Sequence, residues 1–77
     1  MNKHLKPGVA VDVRGASDED VQAVIDACLA LGAMRGGDVD SEYVKWGQEG
    51  AVWLSGNSGK YNTVTINQAL VRISVGF

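Results

Sequence analysis

Hydrophobic residues near the start of the chain recur with a period of two. Val9, Val11 and Val13 alternate with other residues, and this alternation is typical of a β-strand that buries one face. We therefore predict a first strand over residues 8–14.

The hydrophobic period then changes to that of an amphipathic α-helix. The apolar stripe consists of Val21, Val24, Ile25, Cys28 and Leu29. This spacing places the stripe on one side of a helix. Ser17 precedes it as an N-cap and is followed by three acidic residues, which suit the positive end of the helix dipole. Gly32 predicts the C-terminal end of the helix, in the left-handed conformation.

The second half of the chain contains three short β-forming segments, separated by turns rich in glycine. The segments cover residues 42–46, 51–55 and 61–66. Residues 47–50 and 56–60 join them, and Gly and Asn in these turns tolerate a positive φ. The simplest arrangement is a meander of three antiparallel strands.

The pattern after residue 66 fits two structures. Asn67 can cap a short helical turn that begins at Gln68, whereas Val71, Ile73 and Val75 alternate as in a strand. We expect one helical turn followed by an extended tail.

Together these elements predict one small α+β domain over residues 1–77. One amphipathic helix packs on a three- to four-stranded, mainly antiparallel sheet in the order β-α-β-β-β, with a possible short C-terminal helical turn or strand. Residues 1–7 are expected to form a frayed terminus, and residues 33–41 a flexible loop.

The short length of the chain favours self-association. A domain of 77 residues buries a modest fraction of its unfolded surface and often needs additional stabilisation. Cys28 is the only cysteine, so the chain has no internal disulfide, and its place in the apolar stripe indicates a buried thiol. Phe77 adds an apolar side chain at the end of the sequence. We therefore expect a homo-oligomer.

The net charge and the lengths of the apolar segments exclude some partners and locations. The net charge is −2, which is not the positive charge that duplex nucleic-acid binding requires. The sequence has no run of 18 apolar residues, so we expect no membrane anchor. A cytoplasmic location follows by default.

Residues 53–61, W-L-S-G-N-S-G-K-Y, contain the glycines, hydroxyls and lysine of a phosphate-binding loop. A P-loop also requires a glycine five positions before its second glycine and a hydroxyl after its lysine. Leu54 and Tyr61 occupy those positions. A hairpin turn is therefore expected, and the alternative is a loop in which backbone N–H groups and Lys60 contact an anion.

The two tryptophans are expected to differ in their surroundings. Trp53 is predicted to pack beneath the helix. Trp46 lies beside a glycine-bounded turn and either joins the core or stacks on a planar ligand or partner. Lys45 or Arg35 can then meet a negative group. The candidate ligand- or partner-binding residues are Trp46, Lys45, Asn57, Ser58, Lys60, Tyr61 and Arg35.

The sequence shows no arrangement of side chains that is typical of a catalytic centre. His4 is the only histidine and has no ligand at helical or hairpin spacing. Asp18, Glu19, Asp20 and Asp26 fall on the outward side of the predicted helix, which is typical of a solvated surface. We expect a non-catalytic protein with no metal and no cofactor.

Three segments together resemble small accessory proteins of bacteriophages and other mobile elements. The segments are V-D-V-R-G-x-S-D-E-D-V-Q-A-V-x-D-A-C-L-x-L-G-A, Y-V-K-W-G and T-V-T-I-N-Q-A-L, and they span about residues 9–70. Several such proteins look like counter-defence factors, which bind a host defence protein or sequester its nucleotide signal.

The resemblance implies a phage-encoded inhibitor that occludes a host protein in the host cytosol. Two alternatives stay open: an oligomeric sponge for a small nucleotide, and a structural or regulatory module without a small ligand. The resemblance rests on general similarity, so it carries over no functional residue.

Overall fold

The structure is a computed structural model that describes residues 5–76, without the side chains of residues 75 and 76. In chain order the elements are β1 (Val9–Asp12), α1 (Asp18–Ala30), β2 (Met34–Arg35), β3 (Tyr43–Trp46), β4 (Ala51–Ser55), β5 (Asn62–Thr65) and α2 (Ile66–Gly76). The two helices and the five-stranded sheet confirm the predicted α+β class, with one more helix and one more strand than the simplest prediction.

The strands lie in the order β2-β4-β3-β1-β5, so the sheet is mixed. β3 pairs antiparallel with β1 and with β4, whereas β5 pairs parallel with β1 and β2 pairs parallel with β4. The predicted three-stranded meander is therefore wrong, because β5 leaves β4 and crosses to the far side of β1. This position places Val64 beside Val11, where both side chains are buried.

Helix α1 begins and ends where the sequence predicts. The Ser17 hydroxyl accepts a hydrogen bond from the backbone N–H of Asp20 at 3.2 Å. At the other end Gly32 has φ +106°, and the N–H of Ala33 donates to the carbonyl of Cys28 at 2.9 Å. These contacts satisfy backbone groups that a helix end would otherwise leave unpaired.

The hydrophobic stripe of α1 forms one wall of the core. Val24, Ile25 and Cys28 are buried, whereas Leu29, at the edge of the stripe, is 36% exposed. Burial of the inner part of the stripe against β3 and β4 fixes the helix on one face of the sheet.

Residues 47–50 join β3 to β4, and because Gly47 pairs with Ala51, the loop between paired residues is three residues long. The N–H of Gly47 donates to the carbonyl of Ala51 at 2.8 Å, and the N–H of Gly50 donates to the carbonyl of Gly47 at 2.9 Å. Gly50 has φ +106°, which a side chain would oppose. This loop is a turn closed by a glycine bulge, and its length fixes which residues of the two strands lie opposite each other.

The register assigns the strand residues to two faces. Cross-strand partners share a face, and successive residues alternate between faces. The helix-covered face carries Val9, Val11, Val44, Trp46, Val52, Leu54, Asn62 and Val64. The helix-free face carries Ala10, Asp12, Tyr43, Lys45, Trp53, Ser55, Thr63 and Thr65.

The register reverses the expected places of the tryptophans. Trp46 lies opposite Val52 in the core and is 4% exposed, whereas Trp53 lies opposite Lys45 on the other face and is half-buried. The prediction that Trp53 packs beneath the helix is wrong, and of the two places left open for Trp46 the structure selects the core.

Helix α2 replaces the extended tail that the sequence predicts after Gln68. The N–H of Thr65 donates to Gln68 Oε1 at 3.0 Å, and the N–H of Gln68 donates to Thr65 Oγ1 at 3.1 Å. This reciprocal pair is a capping box, so Thr65, and not Asn67, caps the helix. Ala69 and Ile73 then pack on the core at helical spacing. Phe77 lies outside the described residues.

Two segments predicted to be loose are tied to the sheet. Leu5 is 3% exposed and belongs to the core, so the expected frayed terminus does not reach residue 5, and residues 1–4 lie outside the described residues. The predicted loop 33–41 contains β2, where the N–H of Met34 donates to the carbonyl of Gly50 at 2.8 Å.

Candidate binding site on the helix-free face

Two aromatic rings meet at one end of the helix-free face. The Trp53 and Tyr61 ring centroids are 6.3 Å apart, and the ring planes cross at 89°. Trp53 belongs to β4, and Tyr61 directly precedes β5, so the crossover from β4 to the far edge brings the rings together. An edge-to-face pair of this kind stabilises a rigid aromatic surface.

The ammonium group of Lys45 lies against this aromatic pair. Its Nζ is 5.1 Å from the Tyr61 ring centroid and donates a hydrogen bond to Asn57 Oδ1 at 2.9 Å. Lys45 is only 8% exposed, although lysine is almost never fully buried without a paired group. Attraction to the ring face and the amide oxygen partly compensates for the lost hydration.

The loop of residues 56–60 covers the Lys45 ammonium group. Gly59 has φ +56°, and a Cβ placed there would lie 3.4 Å from Lys45 Nζ. The N–H of Tyr61 donates to the carbonyl of Ser58 at 3.1 Å and closes the turn. A glycine at position 59 therefore allows both the turn and the close approach of the backbone to the cation.

An open cavity of ≈ 330 Å³ adjoins the aromatic pair. It is lined by Gly8, Gln48, Glu49, Lys60, Tyr61 and Asn62. The lining combines two side-chain amides, a carboxylate, an ammonium group and a phenol ring. These groups offer hydrogen-bond donors and acceptors beside one aromatic ring.

A second cation on the helix-free side is neutralised by its neighbour. Arg14 Nη2 lies 2.8 Å from Asp12 Oδ2, and the Arg14 guanidinium lies 5.4 Å from the Tyr43 ring centroid. The hydrogen bonds from Arg14 lower the pKa of Asp12, and the carboxylate raises the pKa of Arg14. Arg14 thus already has an anionic partner.

The structure brings together five of the seven residues predicted for binding. These are Lys45, Asn57, Ser58, Lys60 and Tyr61. Trp46 does not join them, because it lies in the core on the opposite face of the sheet. Its Nε1 is buried without a hydrogen-bond acceptor among the described residues.

Arg35 also lies apart from this group. It belongs to the edge strand β2, and its Nη1 is 2.7 Å from Asp38 Oδ1. The same carboxylate oxygen accepts from the backbone N–H of Leu54 at 3.0 Å. The bond from Arg35 and the bond from Leu54 both lower the pKa of Asp38. Arg35 therefore holds the segment after β2 against β4.

Sequence reasoning missed four side chains of this site: Trp53, Gln48, Glu49 and Asn62. Lys45 and Trp46 must lie on opposite faces of one strand, and the valines of β1 and β3 mark the face that the helices cover. A three-residue hairpin loop would then have paired Lys45 with Trp53. The sequence of residues 47–50 does not specify how many of them form the loop, so the pairing of Lys45 with Trp53 could not be recognised.

Cys28 lies in the core and has no reactive character. Its side chain is fully buried, and burial raises the pKa of the thiol to about 12. The thiol is therefore protonated at neutral pH, whereas the thiolate is the nucleophilic form. Within residues 5–76, no three His, Cys, Asp or Glu side chains are grouped as metal ligands.

Comparison with known proteins gives no relative: no family model, no curated protein and no solved structure matches this chain. In the part of the chain that the structure describes, neither helix has the length and apolar character needed to cross a membrane.

Proposed function

We propose that the chain is a non-catalytic binding protein that contacts a partner protein through the helix-free face. The observation that carries this proposal is the asymmetry of the sheet. Both helices pack on one face, and the other face presents Tyr43 and Trp53, with Tyr61 beside it. Tyr and Trp are enriched among residues that dominate binding energy at protein interfaces.

The distribution of charge supports a partner that carries negative groups. The exposed acidic residues of α1 belong to the helix layer. Lys45 and Lys60, which have no anionic partner among the described residues, lie on or beside the helix-free face, where Arg14 is already paired with Asp12. Complementary charge at this face would speed association and favour one orientation.

The proposed mode of action is occlusion of a host protein by a phage-encoded inhibitor. The support for this identity is the resemblance to small accessory proteins of mobile elements, together with a site that offers aromatic and cationic contacts. A rigid sheet needs little rearrangement to bind, which reduces the entropic cost of association. The host cytosol is the corresponding place of action.

Trp53→Ala tests the proposed contact surface. Wild-type protein and the variant are used to capture proteins from host lysate, and Gln22→Ala, on the exposed side of α1, is the matched control. We expect a specific host protein to be retained by wild type and by Gln22→Ala and to be lost with Trp53→Ala. Hydrogen exchange of the purified complex should show new protection in β3, β4 and residues 57–61.

Equal retention by Trp53→Ala, or protection confined to α1 and α2, would contradict the proposed surface. Sedimentation of the isolated protein completes the test. A homo-oligomer that loses its subunit contacts in Trp53→Ala would assign this face to a second copy and not to a host protein.

A second candidate function is capture of a small nucleotide by the cavity beside Tyr61. The observation that favours it is the combination of Lys60, the Tyr61 ring and the amides of Gln48 and Asn62 around ≈ 330 Å³. A nucleotide has a planar base and an anionic phosphate, which suit an aromatic ring and an ammonium group. We expect one nucleotide of a panel to raise the melting temperature of wild type but not of Lys60→Ala, since ligands of the folded state stabilise it.

A further inference from the structure

Lys45 differs from the other cations near the helix-free face because it is buried and has no anionic partner among the described residues. Among residues 5–76, the ion pairs join Arg14 to Asp12 and Arg35 to Asp38. Lys60 is exposed to solvent. Lys45 is 8% exposed, and its hydrogen bond goes to the neutral amide of Asn57. A buried charge is normally paired, because its desolvation is costly.

The Lys45 ammonium group has unused capacity for binding. It carries three N–H donors, and among the described residues one of them has an acceptor, Asn57 Oδ1 at 2.9 Å. The Tyr61 ring on one side and the loop of residues 56–60 above it limit the access of water. An anion that replaced the amide oxygen would therefore interact with the cation more strongly than on an open surface.

The loop that covers Lys45 is weakly attached. Within the described residues, the hydrogen bonds made by residues 56–60 are the one between Asn57 and Lys45 and the turn bond from Tyr61 to Ser58. Asn57 itself is exposed. Among the described residues, a single side-chain hydrogen bond therefore joins this loop to the sheet, and a ligand oxygen that binds Lys45 Nζ in place of Asn57 Oδ1 has that one bond to displace.

We propose that Lys45 is an anion-binding residue, and that a carboxylate or phosphate oxygen of the ligand replaces Asn57 Oδ1 on its Nζ. The Tyr61 ring holds the ammonium group in place, and the Asn57 amide occupies the anion position when the site is empty. This inference rests on the proposed function, because it names the chemical group that the helix-free face recognises.

The test uses acetate and inorganic phosphate as separate probes. Each is titrated into isotope-labelled protein at constant ionic strength, and NMR follows the Lys45 side chain and the backbone amides of residues 57–61. We expect saturable shifts in wild type. Lys45→Met should abolish them, and Lys6→Met, at an exposed lysine, should leave them unchanged.

Asn57→Ala provides the decisive comparison. The substitution removes the amide that competes with the anion for Lys45 Nζ. It should therefore tighten anion binding by about two- to tenfold, the fold-change that corresponds to the loss of one ordinary hydrogen bond. Tighter binding of phosphate than of acetate would assign the site to phosphate groups, and the reverse order would assign it to carboxylates. This comparison stands even if Lys45→Met does not fold.

Three results would overturn the inference: shifts that do not saturate, shifts that persist in folded Lys45→Met, or binding that weakens in Asn57→Ala. Because the titration uses no host protein, its failure is distinguishable from failure of the proposed function. If Trp53→Ala no longer captures the host protein but wild type binds neither acetate nor phosphate, the contact surface is retained and Lys45 is rejected as its anion-binding residue.

Discussion

Trp46 and Trp53 lie on neighbouring strands of one sheet but have opposite surroundings. Trp46 packs among valines between the sheet and its helices and is 4% exposed. Trp53 lies on the helix-free face, with Lys45 opposite it and Tyr61 across its edge. The difference shows that strand register, and not residue type, decides which ring packs in the core and which ring stays partly exposed.

The two faces also handle charge differently. The buried part of the helix-covered face is apolar, and its buried polar atom without a partner among the described residues is Trp46 Nε1. The helix-free face places Asp12 and Lys45 beside aromatic rings, and both side chains form hydrogen bonds. The helix-covered face therefore contributes most of the stability, and the helix-free face carries the charged and aromatic groups of the candidate site.

The largest expected effect is that of Trp46→Ala. Loss of this ring should lower the free energy of unfolding by about 3–5 kcal/mol, the range for large-to-small substitutions in a core. Trp53→Ala should cost about half of that or less, because Trp53 is half-buried. Urea denaturation measures both. Equal costs for the two substitutions would contradict the contrast between the faces.

The pH dependence of stability should report the burial of Cys28. The pKa of this thiol rises from 9.0 to about 12 in the folded state, so the folded protein holds its proton more tightly than the unfolded chain. This contribution is complete below pH 9 and is lost as the pH rises from 9 toward 12, at up to about 1.4 kcal/mol per pH unit.

Cys28→Ala is the control for this pH effect, because it removes the titrating group. The variant should be less stable at neutral pH but should show a smaller loss between pH 9 and pH 12. In wild type, iodoacetamide should modify Cys28 only when the protein unfolds. Rapid modification of the folded protein at pH 7 would show that the thiol is accessible.

On the helix-free face, Trp53 and Tyr61 should be energetically coupled. A double-mutant cycle with Trp53→Ala and Tyr61→Ala should give a coupling of about 0.5–1.5 kcal/mol, the range for edge-to-face aromatic pairs. The control is a second double-mutant cycle that combines Trp53→Ala with Thr63→Ala, at the opposite edge of the same face. It should give a coupling near zero. Similar coupling in both cycles would show that the ring contact is not specific.

The smallest expected effect on stability comes from the Arg35–Asp38 ion pair at the β2 edge of the sheet, apart from the core and from the candidate site. Arg35 and the Leu54 N–H lower the pKa of Asp38, so the pair contributes stability above the unfolded pKa of Asp38 and loses it as the pH falls through the lower folded value. Both side chains are more than one-third exposed, which limits the contribution to about 0.5 kcal/mol.

Asp38→Asn should remove this acid-dependent contribution, whereas Arg35→Gln should leave the part due to the Leu54 N–H. The double variant should lose no more than Asp38→Asn alone. Urea denaturation at several pH values and at two salt concentrations measures it. Additive losses in the double variant would show that the two residues act independently.

The parts of the fold that depend on neighbouring residues could be predicted from the sequence. The signals that define α1 lie within a short stretch of sequence: the N-cap Ser17, the helical period of its hydrophobic residues, and Gly32 at its C-terminal end. The capping box of Thr65 and Gln68 is also local, and its T-x-x-Q spacing predicts a helix start, but the capping prediction considered only Asn67. Recognition of that spacing would have favoured α2 over a tail.

The partner of β5 could not be predicted in the same way. The alternation of Val64 with polar residues indicates a strand, but it does not specify which strand lies beside it. The meander minimises the length of the connections, whereas the observed parallel pairing with β1 buries Val64 and leads directly into α2. Packing between distant segments decided this arrangement.

The candidate site was partly predictable for the same reason. Asn57, Lys60 and Tyr61 come from one loop, so the composition of that loop indicates them together. Lys45 and Trp53 join the site through the hairpin register, and one residue of error in that register exchanges the two faces. The exchange of Trp46 and Trp53 is an error of this kind.

The parallel pairing of β1 with β5 has a consequence for how the chain folds. β1 is next to last in the order of the sheet, between β3 and a strand that is made much later in synthesis. Until β5 arrives, one side of β1 has unpaired backbone N–H and C=O groups, which are prone to intermolecular pairing. Long-range pairing of this kind is slow. We therefore expect aggregation to compete with folding in this interval.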